Sequence, residues 1–239
     1  MPAFFLITRF IFAKESSMSV TIRRLPRHQV WLDEVGSSVT HGIGIVLSVI
    51  GLTVLVAVAA VHGSTRSVVA CSIYGASLVL LYSASTLYHS IPYPLARRIL
   101  RTIDHVAIFL LIAGTYTPFT LLALPGPWGW TLFGLVWGLA LIGSLAQLGL
   151  FKSLRRLELV LYIIMGWICI VAIEPLYHHL SRGGLAMLVA GGVAYTLGVP
   201  FYLARRMPWH HTIWHFFVLA GSVLHFLAIL LYVVPASTD

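Results

Sequence analysis

The sequence predicts an all-α integral membrane protein, a bundle of seven transmembrane helices, and three observations carry that prediction. Of 239 residues, 59% are hydrophobic and only 9% are charged, where a soluble domain carries about a quarter of its residues as charges. Apolar runs of about 18 to 24 residues recur seven times, each long enough to cross a hydrocarbon layer of about 30 Å. The basic residues, which give a formal net charge of +8, fall in short clusters between those runs. They do not interleave with aromatic residues on a polar domain, so the excess speaks of membrane topology and not of nucleic acid.

In chain order, the opening stretch "MPAFFLITRFIFAKESSM" is apolar but too short to span. It is broken by Arg9 and lacks the small-residue cleavage site of a signal peptide. Residues 1–29 are therefore expected to form a disordered or interfacial tail, with Met18 an alternative start. The transmembrane domain is expected over 30–234, with spans at 39–61, 68–90, 103–123, 128–149, 157–176, 184–204 and 211–233, followed by a short tail at 235–239. The connections "HGSTRS", "SIPYPLARRILR", "LPGPWG", "FKSLRR", "HHLSRGG" and "RRMPWH" are polar or contain Gly and Pro. Inside hydrocarbon every backbone polar group must be paired within its own segment, so each run is a helix. Cys71 and Cys169 lie within apolar runs and read as small buried hydrophobes, not as a disulfide.

Orientation follows from the basic residues. With seven spans, the N-terminal tail and the connections after spans 2, 4 and 6 share one side. That side holds thirteen of the fifteen Lys and Arg, and only Arg66 and Arg182 fall on the other. The N-terminus is thus expected in the cytoplasm and the C-terminus outside, in the cell's inner (plasma) membrane.

This topology gathers polar residues at one depth. Span 2 ends in "SASTLYHS", with Ser85 and His89 four apart. Span 3 begins at "DHVAIF", with Asp104 at its head, and span 7 begins at "HTIWH", with His211 and His215 four apart. Residues four apart share a helix face, and two imidazoles so placed can grip one ion at about 2.0–2.1 Å. His89 would complete a three-histidine set, which suits Zn²⁺ and leaves a fourth position open. Asp104 and Ser85 then become candidate catalytic residues, a base and a hydroxyl. Glu34 and His41, at the same end of span 1, are candidate supporting residues, as is His225 deeper in span 7. Singly each has a plainer role: Asp104 as a helix cap, Ser85 bonded back to its own helix, the histidines as packing or interfacial residues. It is their coincidence in one leaflet that favours a metal site.

The segments "EVGSSVTHGIG", "SASTLYHS", "DHVAIFLLIAGTYTPF" and "HTIWHFFVLAGSVLHF" resemble the bacterial hemolysin III proteins, within the progestin and adiponectin receptor family, which is similar to the alkaline ceramidases. The resemblance runs from about residue 30 to residue 232. It implies seven transmembrane helices and a zinc ion on His89, His211 and His215, with Asp104 and Ser85 at the family's acidic and hydroxyl positions. The implied function is zinc-dependent hydrolysis of a membrane lipid amide, in the service of lipid homeostasis. The alternatives are a non-enzymatic sensor of membrane state with structural zinc, or a cytolytic pore or transporter. Scarce charges in mid-membrane argue against an ion path.

The orientation is checked with reporters: one fused after Asp239 is expected outside the cytoplasm, and one inserted near Arg98 inside. Cytoplasmic activity of the C-terminal fusion would overturn the span count and the gathering of these residues together.

Overall fold

The computed structural model describes residues 26–124 and 126–235; the rest of the expected N- and C-terminal tails lies outside the described residues. Among the described residues there is no strand, and seven helices are long and apolar enough to cross a membrane. They are α1 (Arg27–His62), α2 (Thr65–Ser90), α3 (Pro94–Ala123), α4 (Gly126–Gln147), α5 (Glu158–His179), α6 (Arg182–Leu203) and α7 (His210–Val233). Consecutive helices pack side by side, and α7 returns against α1 to close the ring. The short connections force an up-and-down course. One end of the bundle therefore collects the start of α1, the end of α2 and the starts of α3 and α7.

Two helices begin earlier than their apolar runs. α1 has 36 residues, about 54 Å at 1.5 Å per residue, and includes Arg27, His28 and Gln29, which the sequence assigned to the tail. Hydropathy marks where a helix leaves hydrocarbon, not where its hydrogen-bond ladder ends, and here the ladder runs on to Pro26. Likewise α3 starts at Pro94, a residue suited to a first helical turn because its missing N–H has no partner there anyway. Asp104 thus lies well inside α3, which removes its role as a cap.

Local chemistry sets the other boundaries. Ser64 and Ser67 form a reciprocal capping box at the head of α2, and the Ser181 hydroxyl accepts from Gly184 N at the head of α6. Pro118 lies inside α3, whose last turn, Phe119–Ala123, widens into a π turn. α5 is interrupted by a tighter 3₁₀ segment at Ile168–Ala172. The Tyr116 hydroxyl of α3 enters that interruption, donating to Gly166 O at 3.0 Å and accepting from Cys169 N at 3.0 Å.

The buried face of α1 is small and polar: Ser37, Thr40, His41, Gly44, Ser48 and Gly51 are all on it. Small residues let helices approach closely where no hydrophobic effect drives them together. A Cβ at Gly44 would stand 2.4 Å from Tyr82 Cδ1 of α2. Tyr82 in turn donates to Ser222 Oγ of α7 at 2.8 Å, and Tyr195 of α6 meets the same oxygen at 2.8 Å. This hydroxyl cluster ties α2, α6 and α7 together in the middle of the bundle. Outward faces are apolar, with Val46, Leu47, Val49, Ile50, Leu141 and Val171 exposed as a surface for lipid tails.

Gly44→Val is therefore expected to destabilise the bundle by about 1–3 kcal/mol through overpacking. Gly42→Val, on the same helix with nothing within 4 Å of the added carbon, should change stability by no more than about 0.5 kcal/mol. Thermal melts of the purified protein in detergent distinguish the two.

Candidate metal centre

His89 is the penultimate residue of α2, and His211 and His215 occupy the first two turns of α7. Their rings converge: centroids lie 4.9 Å apart for His89–His211, 5.0 Å for His89–His215 and 4.6 Å for His211–His215. One ring nitrogen from each lies within 4.8 Å of the others, a group that could hold a metal ion. Asp104 and Ser85 are not in that group; they line a cavity of about 160 Å³ together with His211, His215 and His41.

Hydrogen bonds at the far side of the rings decide which nitrogens face inward. His89 Nδ1 lies 2.7 Å from Glu34 Oε2, and Glu34 is paired through its other oxygen with Arg97. An ionised carboxylate only accepts, so Nδ1 carries the proton and Nε2 presents a bare lone pair. His89 Nε2 is buried and has no partner. His215 Nδ1 faces the Ser37 carbonyl at 3.2 Å, so its proton is assigned the same way. Two of the three rings thus offer unprotonated Nε2 atoms, the form in which imidazole binds a metal. A bare nitrogen in a dry interior is costly unless something occupies it, so the donor set fits a cation.

The remaining candidates fall into place around this group. His41 of α1 is stacked on His215, with ring centroids 3.5 Å apart and planes at 9°, and both its nitrogens are buried without partners. Ser85 Oγ is likewise buried, is not bonded back to its own helix and faces the Asp104 carboxyl. His225 is not gathered with the others. It sits ten residues beyond His215, about 15 Å along α7, and donates through Nε2 to Leu188 O of α6 at 3.0 Å. It lines the deeper reach of the same cavity, whose walls below the histidines are mostly apolar. His105, next to Asp104, turns toward Glu158 at the start of α5, with Nε2 4.0 Å from Oε1.

Sequence reasoning missed three participants. Asp33 of α1 accepts from Thr212 N at 2.9 Å and from Thr212 Oγ1 at 2.7 Å, at the first turn of α7. Ser37 matters through its carbonyl, which no side-chain pattern reveals. Arg97 entered only as a topological charge, yet it pairs with Glu34 and lies 4.8 Å above the Tyr88 ring. A signal for Asp33 did exist: an acidic residue next to Glu34, at the same end of the bundle as an uncapped helix start.

Comparison with known proteins agrees with this architecture. The family model described as "Haemolysin-III related" matches residues 29–226. The chain is 45% identical over 206 residues to Hemolysin-3 of Bacillus cereus, covering 86% of this chain and 94% of that protein. It is 45% identical over 202 residues to the Hemolysin-3 homolog of Bacillus subtilis, covering 84% and 95%. A more distant likeness, 29% over 175 residues, links it to the human monocyte to macrophage differentiation factor, covering 70% of this chain and 71% of that one. A multi-pass membrane protein with this matched length and these relatives belongs to the haemolysin-III related family.

Proposed function

We propose that the protein is a zinc-dependent hydrolase that cleaves an amide bond of a membrane lipid, with its metal centre at the cytoplasmic leaflet of the plasma membrane. The observation that carries this reading is the meeting of two environments. Three clustered imidazoles, two of them buried, include a pair, His211 and His215, that stands at the head of a cavity also lined by a carboxylate and a hydroxyl, Asp104 and Ser85. Below them the same cavity continues between apolar walls as far as His225, which suits an acyl chain.

His89, His211 and His215 would hold the ion. Bound there, zinc supplies a Lewis acid that polarises a carbonyl and makes water a stronger nucleophile at neutral pH. The Asp104 carboxylate accepts the proton that water gives up and returns it to the leaving amine. Ser85, one turn before His89, donates its hydroxyl to the substrate carbonyl oxygen. The apolar walls fix the chain and exclude bulk water, which strengthens each of these interactions. The thirteen-to-two distribution of basic residues supports placing this end in the cytoplasm.

A second reading, a sensor of membrane state in which the metal only staples α2 to α7, has one observation in its favour. The three ligands come from those two helices alone, and Asp104 is outside the group. The two readings part at Asp104.

Replacing His89, His211 or His215 singly by alanine is expected to lower the zinc content of the purified protein sharply, because two imidazoles hold the ion poorly. Retention of zinc by the His211→Ala, His215→Ala double variant would overturn the ligand assignment. Asp104→Asn is expected to keep most of the zinc and lose turnover by about 10²–10⁴-fold, the usual scale for a general base. Lipid profiling of membranes with and without the protein identifies the substrate. A zinc-loaded Asp104→Asn protein that fully complements a deletion strain would sink the hydrolase and favour the sensor.

A further inference from the structure

Helix α1 contributes none of the three histidines, yet it touches both helices that carry them. Asp33 and Glu34 are adjacent, so they point about 100° apart around α1, one toward α7 and the other toward α2. Asp33 meets the first turn of α7, where Thr212 N and Oγ1 donate to its carboxylate and His210 Nε2 lies 3.6 Å away. Glu34 accepts from His89 Nδ1 at the end of α2. The two halves of the donor set thus meet on one acidic dipeptide.

We propose that Asp33 and Glu34 are the positioning residues of the metal centre, fixing the rotation of His89 and the seat of the α7 pair relative to each other. This inference rests on the metal reading above. Glu34 is suited to the task because Arg97 holds its second oxygen, so the carboxylate is itself fixed in place. A fixed anionic acceptor locks the His89 tautomer and raises its basicity toward a cation. Asp33 is suited because an anion at a helix N-terminus satisfies free N–H groups and is favoured by the helix dipole. α7 begins after Trp209, at φ 61°, with no side-chain cap of its own. Without Asp33, nothing in its own sequence fixes that first turn.

The test is zinc affinity of the full-length protein in detergent, measured by chelator competition, alongside the visible spectrum of the cobalt-loaded form and the melting temperature of the metal-free form. Glu34→Gln keeps the shape and removes the charge. It is expected to weaken zinc binding 10–100-fold and to shift the cobalt bands, while the metal-free form, having lost the Arg97 pairing, melts a few degrees lower but still cooperatively. Asp33→Ala is expected to weaken binding by a similar factor; because it also loosens α7, Glu34→Gln is the deciding variant. Glu174→Gln makes the same charge change at the opposite end of the bundle and should leave affinity unchanged. Glu34→Gln affinity within twofold of the wild type, or an equal loss in Glu174→Gln, overturns the inference alone. A wild-type protein that takes up no metal overturns the metal reading and this inference with it.

Discussion

Helix α7 begins in a difficult place. The first N–H groups of any helix have no partner within it, and here the segment leading in is exposed while Thr212, in the first turn, is buried against α1. The Asp33 carboxylate answers that need from another helix, across 179 positions of sequence. The contact fixes the height and rotation of α7, and with them the direction in which His211 and His215 point. Because α7 also closes the ring against α1, the same contact joins the two ends of the chain. The histidine group, the head of the cavity and the closure of the bundle all depend on it.

The bundle inverts the pattern of a soluble protein. Its outer surface is apolar because lipid tails surround it, and polar groups are kept where they can find one another. Two such places stand out. At one end, carboxylates, imidazoles and a guanidinium form a connected set. In mid-bundle, Ser222 collects the hydroxyls of Tyr82 and Tyr195 and, through its carbonyl, that of Tyr74. The first set leaves imidazole nitrogens without partners, whereas the second is satisfied throughout. A satisfied network holds helices together, and an unsatisfied one marks where a ligand belongs.

The fold was legible because hydrocarbon thickness imposes a length on each span, and the Lys and Arg clusters mark the ends. The candidate site was legible because His211 and His215 are one turn apart, and because an odd number of spans brings the end of α2 and the starts of α3 and α7 to one level. Depth could be read in this way, but direction could not. That Asp104 and Ser85 line the cavity beside the histidines instead of joining their group depends on helix rotation, which packing sets. Asp33 and Ser37 were missed for a different reason: each contact has a backbone atom on one side, the Thr212 amide for Asp33 and the carbonyl of Ser37 itself, and a backbone atom has no signature in sequence. The early start of α1 escaped notice because hydropathy reports the solvent around a helix, not its hydrogen bonds.

The interruption of α5 carries a consequence of another kind. Where the helix tightens at Ile168, its ladder no longer serves Gly166 O and Cys169 N, and one phenol from α3 takes both. A helix in lipid ordinarily owns all of its hydrogen bonds; α5 borrows two. The first stub, Glu158–Trp167, is thus tied to the head of the interruption by a phenol that belongs to a neighbour. Bonds of α5's own, from Ile168 N to Met165 O and from Ile173 N to Ile170 O, carry the chain through it. The head of that interruption is a property of the α3–α5 pair. Any movement that draws these helices apart must expose two backbone groups to hydrocarbon at once, at about 1–3 kcal/mol each. Tyr116 is in that sense a part of α5 that happens to be encoded in α3.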